Sequence, residues 1–353
     1  MKIVSVVGAR PQFIKYAPLS KELRRSHQEV LVHTGQHYDY NMNKVFFDEL
    51  GIPQPDYNLG VGSGTHGYQT GEMLKGIEKI MIKEKPDLVM AYGDTNSTIA
   101  SALSATKLHF RVGHIEAGLR SFDRSMPEEV NRVLTDHCSD YLFCPTQTAV
   151  DNLKREGITD GVYLTGDVMV DALDYNIKIA ERLDILDRLK LTSKRYLVVT
   201  LHRAGNTDEI QKLESVADAL TQLSILSETI VFPMHPRTEK LLKKCGLYDR
   251  LKEKVKLIEP LGYFEFLKLL NHAKKVLTDS GGIQKEAYIL KVPCVTLREN
   301  TEWVETVESG WNVLAGANTE KIINLARDFK PGKRQPGIFG KGACQEIVKI
   351  LGK

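Results

Sequence analysis

From the second residue onward, short β-branched runs alternate with longer stretches of helical spacing: Lys2 to Val7, then Pro11 to Arg25, then Glu29 to His33. Such alternation implies parallel sheets covered by helices. Further strand candidates are Leu88 to Ala91, Val112 to Ile115, Tyr141 to Phe143 and Val162 to Leu164. They are separated by segments such as the one that carries Met73, Ile77, Ile80 and Met81 at helical spacing. These make one complete doubly wound domain over residues 1–166. After Gly166-Asp167 a helical stretch rich in Asp, Arg and Leu leads to a second series of strands, at Tyr196 to Leu201, Thr229 to Phe232, Val255 to Ile258, Lys275 to Leu277, Pro293 to Thr296 and Asn312 to Leu314. A second domain is expected over 167–339, with a C-terminal helix in 340–353 packing back on the first. The length of 353 residues agrees, because one core serves ~100 to 200 residues. The expected fold class is α/β: two doubly wound domains facing a cleft, with the ligand outside the carboxyl ends of the strands.

Charge narrows the partners. A net charge of +3 from 48 basic and 45 acidic residues leaves no concentrated basic stripe, which argues against nucleic acid and leaves a small anion open. The five cysteines are widely spread without a C-x-x-C pair, and read as reduced residues of a cytoplasmic protein. The apolar run Ile3 to Val7 is too short for a signal-peptide core, and no stretch approaches the ~20 apolar residues that span a bilayer. No membrane partner is expected.

Chemistry is sought just after the strands. Gly8-Ala9-Arg10-Pro11-Gln12-Phe13-Ile14-Lys15 has one glycine where a dinucleotide fingerprint has three, which argues against a nicotinamide cofactor. Pro11 suits a first helical turn, and Arg10 and Lys15 then sit at a helix start as cations for a diphosphate. A structural turn with solvated cations competes with that reading. In the second half, Thr278-Asp279-Ser280-Gly281-Gly282 is a sharp strand-to-helix turn. There the backbone N–H groups of Gly281 and Gly282 and the Ser280 hydroxyl suit a phosphate, and the Glu286 carboxylate suits the two hydroxyls of a ribose.

Three strand ends in the first half each present a carboxylate: Asp94, Glu116 and Glu128. Asp94 also reads as a helix N-cap, and Glu128 and Glu129 as favourable charge at a helix start. Glu116 follows an apolar strand and precedes Ala-Gly, where a carboxylate is partly buried. Crowded carboxylates raise one another's pKa and so become proton carriers near neutral pH. His202 and Arg203 after one strand of the second domain, and His235 after another, are expected to face them. A lone histidine there is more often a packed one. The His and Glu spacings are not those of zinc ligands, and no metal is expected.

Read together, the Gly-Asp-Thr-Asn-Ser-Thr around Asp94, His114 to Arg120, Pro127 to Arg132, Thr200 to Arg203, Glu259-Pro260-Leu261, Thr278 to Glu286 and Thr301-Glu302 resemble the non-hydrolysing UDP-N-acetylglucosamine 2-epimerases. The resemblance implies two Rossmann-like domains of the glycosyltransferase-B type, a homodimer, and a UDP-sugar substrate converted without NAD or any other cofactor. A base removes the C2 proton, UDP leaves from C1, and UDP adds back after reprotonation from the other face. Carried over residue by residue, Asp94, Glu116, Glu128 and His202 are catalytic, and Arg10, Lys15, Ser280, Gly281, Gly282 and Glu286 bind UDP.

The sequence departs from the family pattern at Ala204-Gly205-Asn206, which lacks an acid, and at Lys285 and Tyr288 in place of the frequent Glu and Pro. Gln36-His37 resembles the family's activator site, whereas Tyr38-Asp39 does not. Three readings compete: a 2-epimerase for another UDP-sugar such as a UDP-diacetamido uronic acid, suggested also by Phe46-Phe47; a glycosyltransferase of the same fold; and an inactive UDP-sugar sensor.

Overall fold

The computed structural model describes residues 1–36, 47, 50–226 and 229–352. Its contacts divide the chain into two compact units, Met1–Asp174 with Gly337–Lys353, and Tyr175–Pro336. The division therefore falls inside the helix Val168–Ala180, downstream of the 166/167 boundary read from sequence.

The first unit is built on seven parallel strands: β1 (Lys2–Val7), β2 (Gln28–His33), β3 (Tyr57–Asn58), β4 (Leu88–Tyr92), β5 (Arg111–Ile115), β6 (Tyr141–Cys144) and β7 (Val162–Leu164). Their order across the sheet is β3-β2-β1-β4-β5-β6-β7. Strand β1 is the centre: Val4 pairs with Val30 on one side and Val89 on the other, and Ile3 to Val7 are all shut off from solvent. A strand buried on both faces needs side chains apolar on both, which is why it reads as a continuous run and not an alternation. The helix His66–Glu84 turns Met73, Ile77, Ile80 and Met81 inward. Beside it the helix Asn96–Lys107 buries Ser97, Ala100, Ser101, Ala102, Ser104 and Ala105, whose small side chains allow the two helices to pack closely.

At the end of the chain, the helix Ala343–Leu351 packs on the helix Arg10–Leu23 of the same unit. Its N-terminus is capped by a distant residue: Asp171 accepts hydrogen bonds from the backbone N–H of Gly342 (2.9 Å) and Cys344 (2.8 Å).

The second unit repeats the plan with six parallel strands: β8 (Tyr196–Thr200), β9 (Thr229–Pro233), β10 (Lys256–Ile258), β11 (Lys275–Thr278), β12 (Cys294–Thr296) and β13 (Asn312–Leu314). They lie in the order β10-β9-β8-β11-β12-β13. Val198 pairs with Val231 and Val276, and apolar clusters cover both faces of the sheet.

In each unit the strand order reverses at the middle, between β1 and β4 and between β8 and β11. The connections leave in opposite directions there, and the crevice that opens at the carboxyl edge is where doubly wound sheets bind ligands. Among the described residues, no helix is long and apolar enough to cross a membrane.

Candidate active site

At the first reversal, the turns after β1, β2 and β4 meet. A Cβ on Gly8 would lie 1.9 Å from Thr34 Oγ1 and 2.3 Å from Ser97 Oγ, so only glycine fits. Gln12 ties two of these turns together. Its Oε1 accepts from the N–H of Gly8 (2.7 Å) and Ala9 (3.0 Å), and its Nε2 donates to the carbonyl of Tyr92 (2.9 Å). The start of the helix Arg10–Leu23 is thereby fixed beside the end of β4, and half-buried Arg10 stands in its first turn.

Lys15, one turn further, forms an ion pair with Glu116 at the end of β5. From sequence Lys15 is expected at a diphosphate and Glu116 in proton transfer, and the structure joins the two side chains. Glu116 has a φ of +70°, a left-handed conformation that costs a non-glycine residue about 1 to 3 kcal/mol. Room for the pair comes from Gly93 (φ +65°), where a Cβ would lie 3.2 Å from Lys15 Nζ and 3.6 Å from Glu116 Oε2.

Asp94 follows Gly93 and does not cap the next helix, whose N-cap is Thr95. Its Oδ2 accepts from Arg132 Nη2 (2.5 Å), and its carbonyl accepts from Asn131 Nδ2 (3.0 Å). Arg132 also donates to Glu129 (2.8 Å), a buried carboxylate that accepts from the N–H of Ser121 and of Phe122, each at 2.9 Å. Glu129 thus anchors the loop before the helix Pro127–His137. Its neighbour Glu128 is half-buried in the first turn and, among the described residues, has no hydrogen-bond or ion-pair partner.

Behind these groups His114 is sealed in the sheet. One ring nitrogen lies 2.6 Å from Asp136 Oδ1 and the other 2.7 Å from the carbonyl of Gly93. Burial pushes the Asp136 carboxyl up, but His114 and Arg120 outweigh it and hold the group below the ordinary carboxylate range.

At the second reversal, His202 and Arg203 follow β8, and Asp279 and Ser280 follow β11. The two strand ends are locked by a 2.6 Å hydrogen bond between the hydroxyls of Thr200 and Thr278. His202 is half-exposed, and its ring centroid lies 5.9 Å from that of His235. His235 caps the helix Pro236–Lys244, its Nδ1 accepting from the N–H of Arg237 (3.2 Å). Ser280 stands at the N-cap position of the helix Gly281–Ile289, without a side-chain hydrogen bond to the helix start. A Cβ on Gly281 would meet Glu302 Oε1 at 1.8 Å, whereas one on Gly282 would make only an ordinary contact, 3.9 Å from Ser280 Oγ. Glu286 is buried next to Tyr263, whose phenol is pushed far above its usual range first by burial and then by the Glu286 charge.

The structure thus gathers Arg10, Lys15, Asp94 and Glu116 at the carboxyl edge of the first sheet. Glu128 lies at the start of the helix that holds Asp94. The carboxyl edge of the second sheet carries His202, Arg203, His235, Ser280, Gly281, Gly282 and Glu286. Asp279 is a site residue that the Gly281-Gly282 turn masks in the sequence, although it carries the same signal as Asp94: an acid directly after an apolar strand.

Asn206, next to Gly205 where the acid is missing, donates to the Leu297 carbonyl (2.8 Å) and to Asp279 (3.3 Å). Lys285 lies 4.6 Å from the centre of the Trp303 ring. Gln36 accepts from the hydroxyl of Ser97 (2.8 Å), while His37, Tyr38, Asp39 and Phe46 lie outside the described residues. Among the described residues, no group of three His, Cys, Asp or Glu is placed to hold a metal ion.

Two parallel sheets with covering helices, each reversing its strand order at the middle, define the glycosyltransferase-B type of α/β enzyme. A UDP-glucosyltransferase from Polygonum tinctorium, 12% identical over 100% of this chain and 98% of its own with a TM-score of 0.65, shares that fold. Within the class, the chain belongs to the UDP-N-acetylglucosamine 2-epimerase family, whose model matches residues 21–352.

A Methanococcus maripaludis UDP-N-acetylglucosamine 2-epimerase homolog is 57% identical, over 99% of each chain. A Pseudomonas aeruginosa UDP-2,3-diacetamido-2,3-dideoxy-D-glucuronate 2-epimerase is 49% identical, over 100% of each. Among solved structures, the Methanocaldococcus jannaschii UDP-GlcNAc 2-epimerase in complex with UDP-GlcNAc and UDP is 49% identical, with a TM-score of 0.93 over 100% of this chain and 99% of that one.

Proposed function

We propose that this isomerase interconverts UDP-N-acetylglucosamine and UDP-N-acetylmannosamine without hydrolysing either, by eliminating UDP and adding it back. The observation that carries the reading is the group of carboxylates at the first reversal: Glu116 strained and ion-paired to Lys15, Asp94 held by Arg132, and Glu128 without a partner of its own among the described residues. Inversion at C2 needs one group to remove a proton from one face and another to return a proton to the opposite face. A single carboxylate cannot serve both.

In the forward direction a carboxylate takes the C2 proton, the C2–H electron pair becomes the C1=C2 double bond, and the C1–O pair leaves with UDP. The reverse steps on the other face complete the inversion. Charge grows on the diphosphate as C1–O breaks, and preorganised cations stabilise such charge; the first unit offers Arg10 and Lys15 for that task, and the second offers Arg203. Lys15 has a double task in this scheme. It pairs with Glu116 in the free enzyme, and a diphosphate that draws the ammonium away removes that counter-charge from the Glu116 carboxylate. In the second unit, Ser280 and the N–H groups of Gly281 and Gly282 take the phosphate, Glu286 takes the ribose hydroxyls, and His202 and His235 offer imidazoles toward the sugar.

In deuterated water, product formed from UDP-N-acetylglucosamine is expected to carry deuterium at C2, read by proton NMR as loss of the C2 proton signal. The carbon-bound proton passes to a carboxyl oxygen and exchanges there before the second face is protonated. Unlabelled product would sink the mechanism.

A second substrate has specific support in the relative that acts on a diacetamido glucuronate. Side-by-side kcat/KM values with UDP-N-acetylglucosamine and UDP-2,3-diacetamido-2,3-dideoxy-D-glucuronate decide between the two, and a clear preference for the uronate would replace the first reading.

A further inference from the structure

The geometry points to Asp279 as the positioning residue of His202: an acceptor-only carboxylate that holds the imidazole with its proton on Nδ1 and leaves Nε2 as the atom that meets substrate. This rests on the reading above in which His202 works on the sugar.

Asp279 ends β11 and His202 follows β8, adjacent strands in register at Thr278 and Thr200. The Asp279 side chain is 0% exposed, against 39% for His202. The carboxylate accepts from the backbone N–H of His202 (3.1 Å) and Arg203 (2.9 Å), and from Asn206 Nδ2 (3.3 Å). Its Oδ1 lies 3.3 Å from Nδ1 of the His202 ring.

The two backbone N–H groups and the Asn206 amide all donate to it, so the buried carboxylate serves its neighbours as an acceptor. A ring nitrogen facing such a carboxylate carries hydrogen, and the opposite nitrogen is then the one that gives or takes a proton. Among the neighbouring charged and titratable groups, His235 uses its Nδ1 to accept from its own helix, Arg203 is a cation, and Asp208 is neutralised by two 2.6 Å hydrogen bonds from Arg237.

Asp279 also holds the turn backbone, and a merely structural role would end there. The variant Asp279→Asn separates the two, because it keeps the shape and an acceptor oxygen for the backbone while removing the charge. With the full-length protein labelled with nitrogen-15 in its histidine rings, and the His202 signals assigned by their absence in His202→Gln, the neutral wild-type ring is expected as the Nδ1–H tautomer. In Asp279→Asn its pKa is expected to fall by about 1 unit, the low end of the effect of an adjacent carboxylate. The turnover number should fall by about 10- to 100-fold with KM little changed, the size usual for a lost orienting partner.

Two results overturn the assignment: a wild-type ring with its proton on Nε2, which needs no variant to fold, or an unchanged His202 titration in a folded Asp279→Asn. Wild-type epimerisation by His202→Gln would instead remove His202 from the reaction, while the tautomer measurement would still report on the pair.

Discussion

Glu116 combines three features that rarely coincide in one residue: a left-handed backbone, near-complete burial and an ion pair to a lysine on another element. Strain of this kind persists only where the surroundings over-determine it, and it gathers at functional sites. Replacing Glu116 by Gln keeps the shape and removes the proton carrier. Turnover in the epimerase assay is expected to drop by about 10² to 10⁴, the range for a lost general acid or base. UDP affinity, measured by calorimetry, should not fall, because the substitution frees Lys15 for the diphosphate. Wild-type turnover in Glu116→Gln would take Glu116 out of the proton transfer.

At the scale of elements, β5 and the helix Pro127–His137 are joined by a buried network. Asp136 accepts from Arg120 Nη1 (2.6 Å) and the N–H of Gly118 (3.0 Å) as well as facing His114. Removing its charge leaves the buried Arg120 with Glu156 as its remaining anion among the described residues and the His114 ring facing a neutral amide, a loss of about 3 kcal/mol, the low end for a broken buried pair. The folded pKa of Asp136 is depressed. Its stabilisation is therefore present above the ordinary carboxylate value of about 3.9 and is lost as the pH falls through that value toward the folded pKa. Denaturant unfolding of Asp136→Asn should show a lowered midpoint at pH 7 and a smaller further loss than wild type below about pH 4. Parallel acid-side curves for the two proteins would mean that the carboxylate is not ionised in the fold.

For the whole molecule, the two units carry separate cores, and the turn Ser280 to Glu286 belongs to the second. If UDP binds there, a hundredfold excess over its dissociation constant should add about 2.7 kcal/mol to the unfolding free energy of that unit. A thermal melt should show the shift with UDP and none with NAD. A response to NAD alone would contradict this account of the ligand. The chain's last helix belongs to the first unit, held by Asp171 at its N-terminus and by the helix Arg10–Leu23 along its side.

Among the described residues, every strand except two-residue β3 is legible in the sequence; the central ones are so because a strand covered on both faces must be a short apolar run, and the helices between such runs have their own period. The site residues are legible for a related reason. Parallel topology sends every strand's carboxyl end to the same edge, so chemistry can be sought just after each run, and Asp94, Glu116, His202 and Ser280 all fall there. The tertiary structure alone decides which of those ends become neighbours. Lys15 meets Glu116 because β1 lies beside β4 and β4 beside β5, and Asp279 meets His202 because β11 lies beside β8. Those pairings join residues 101 and 77 positions apart. No local propensity records such a separation; strand order sets it, through the burial and hydrogen bonding of the finished sheet.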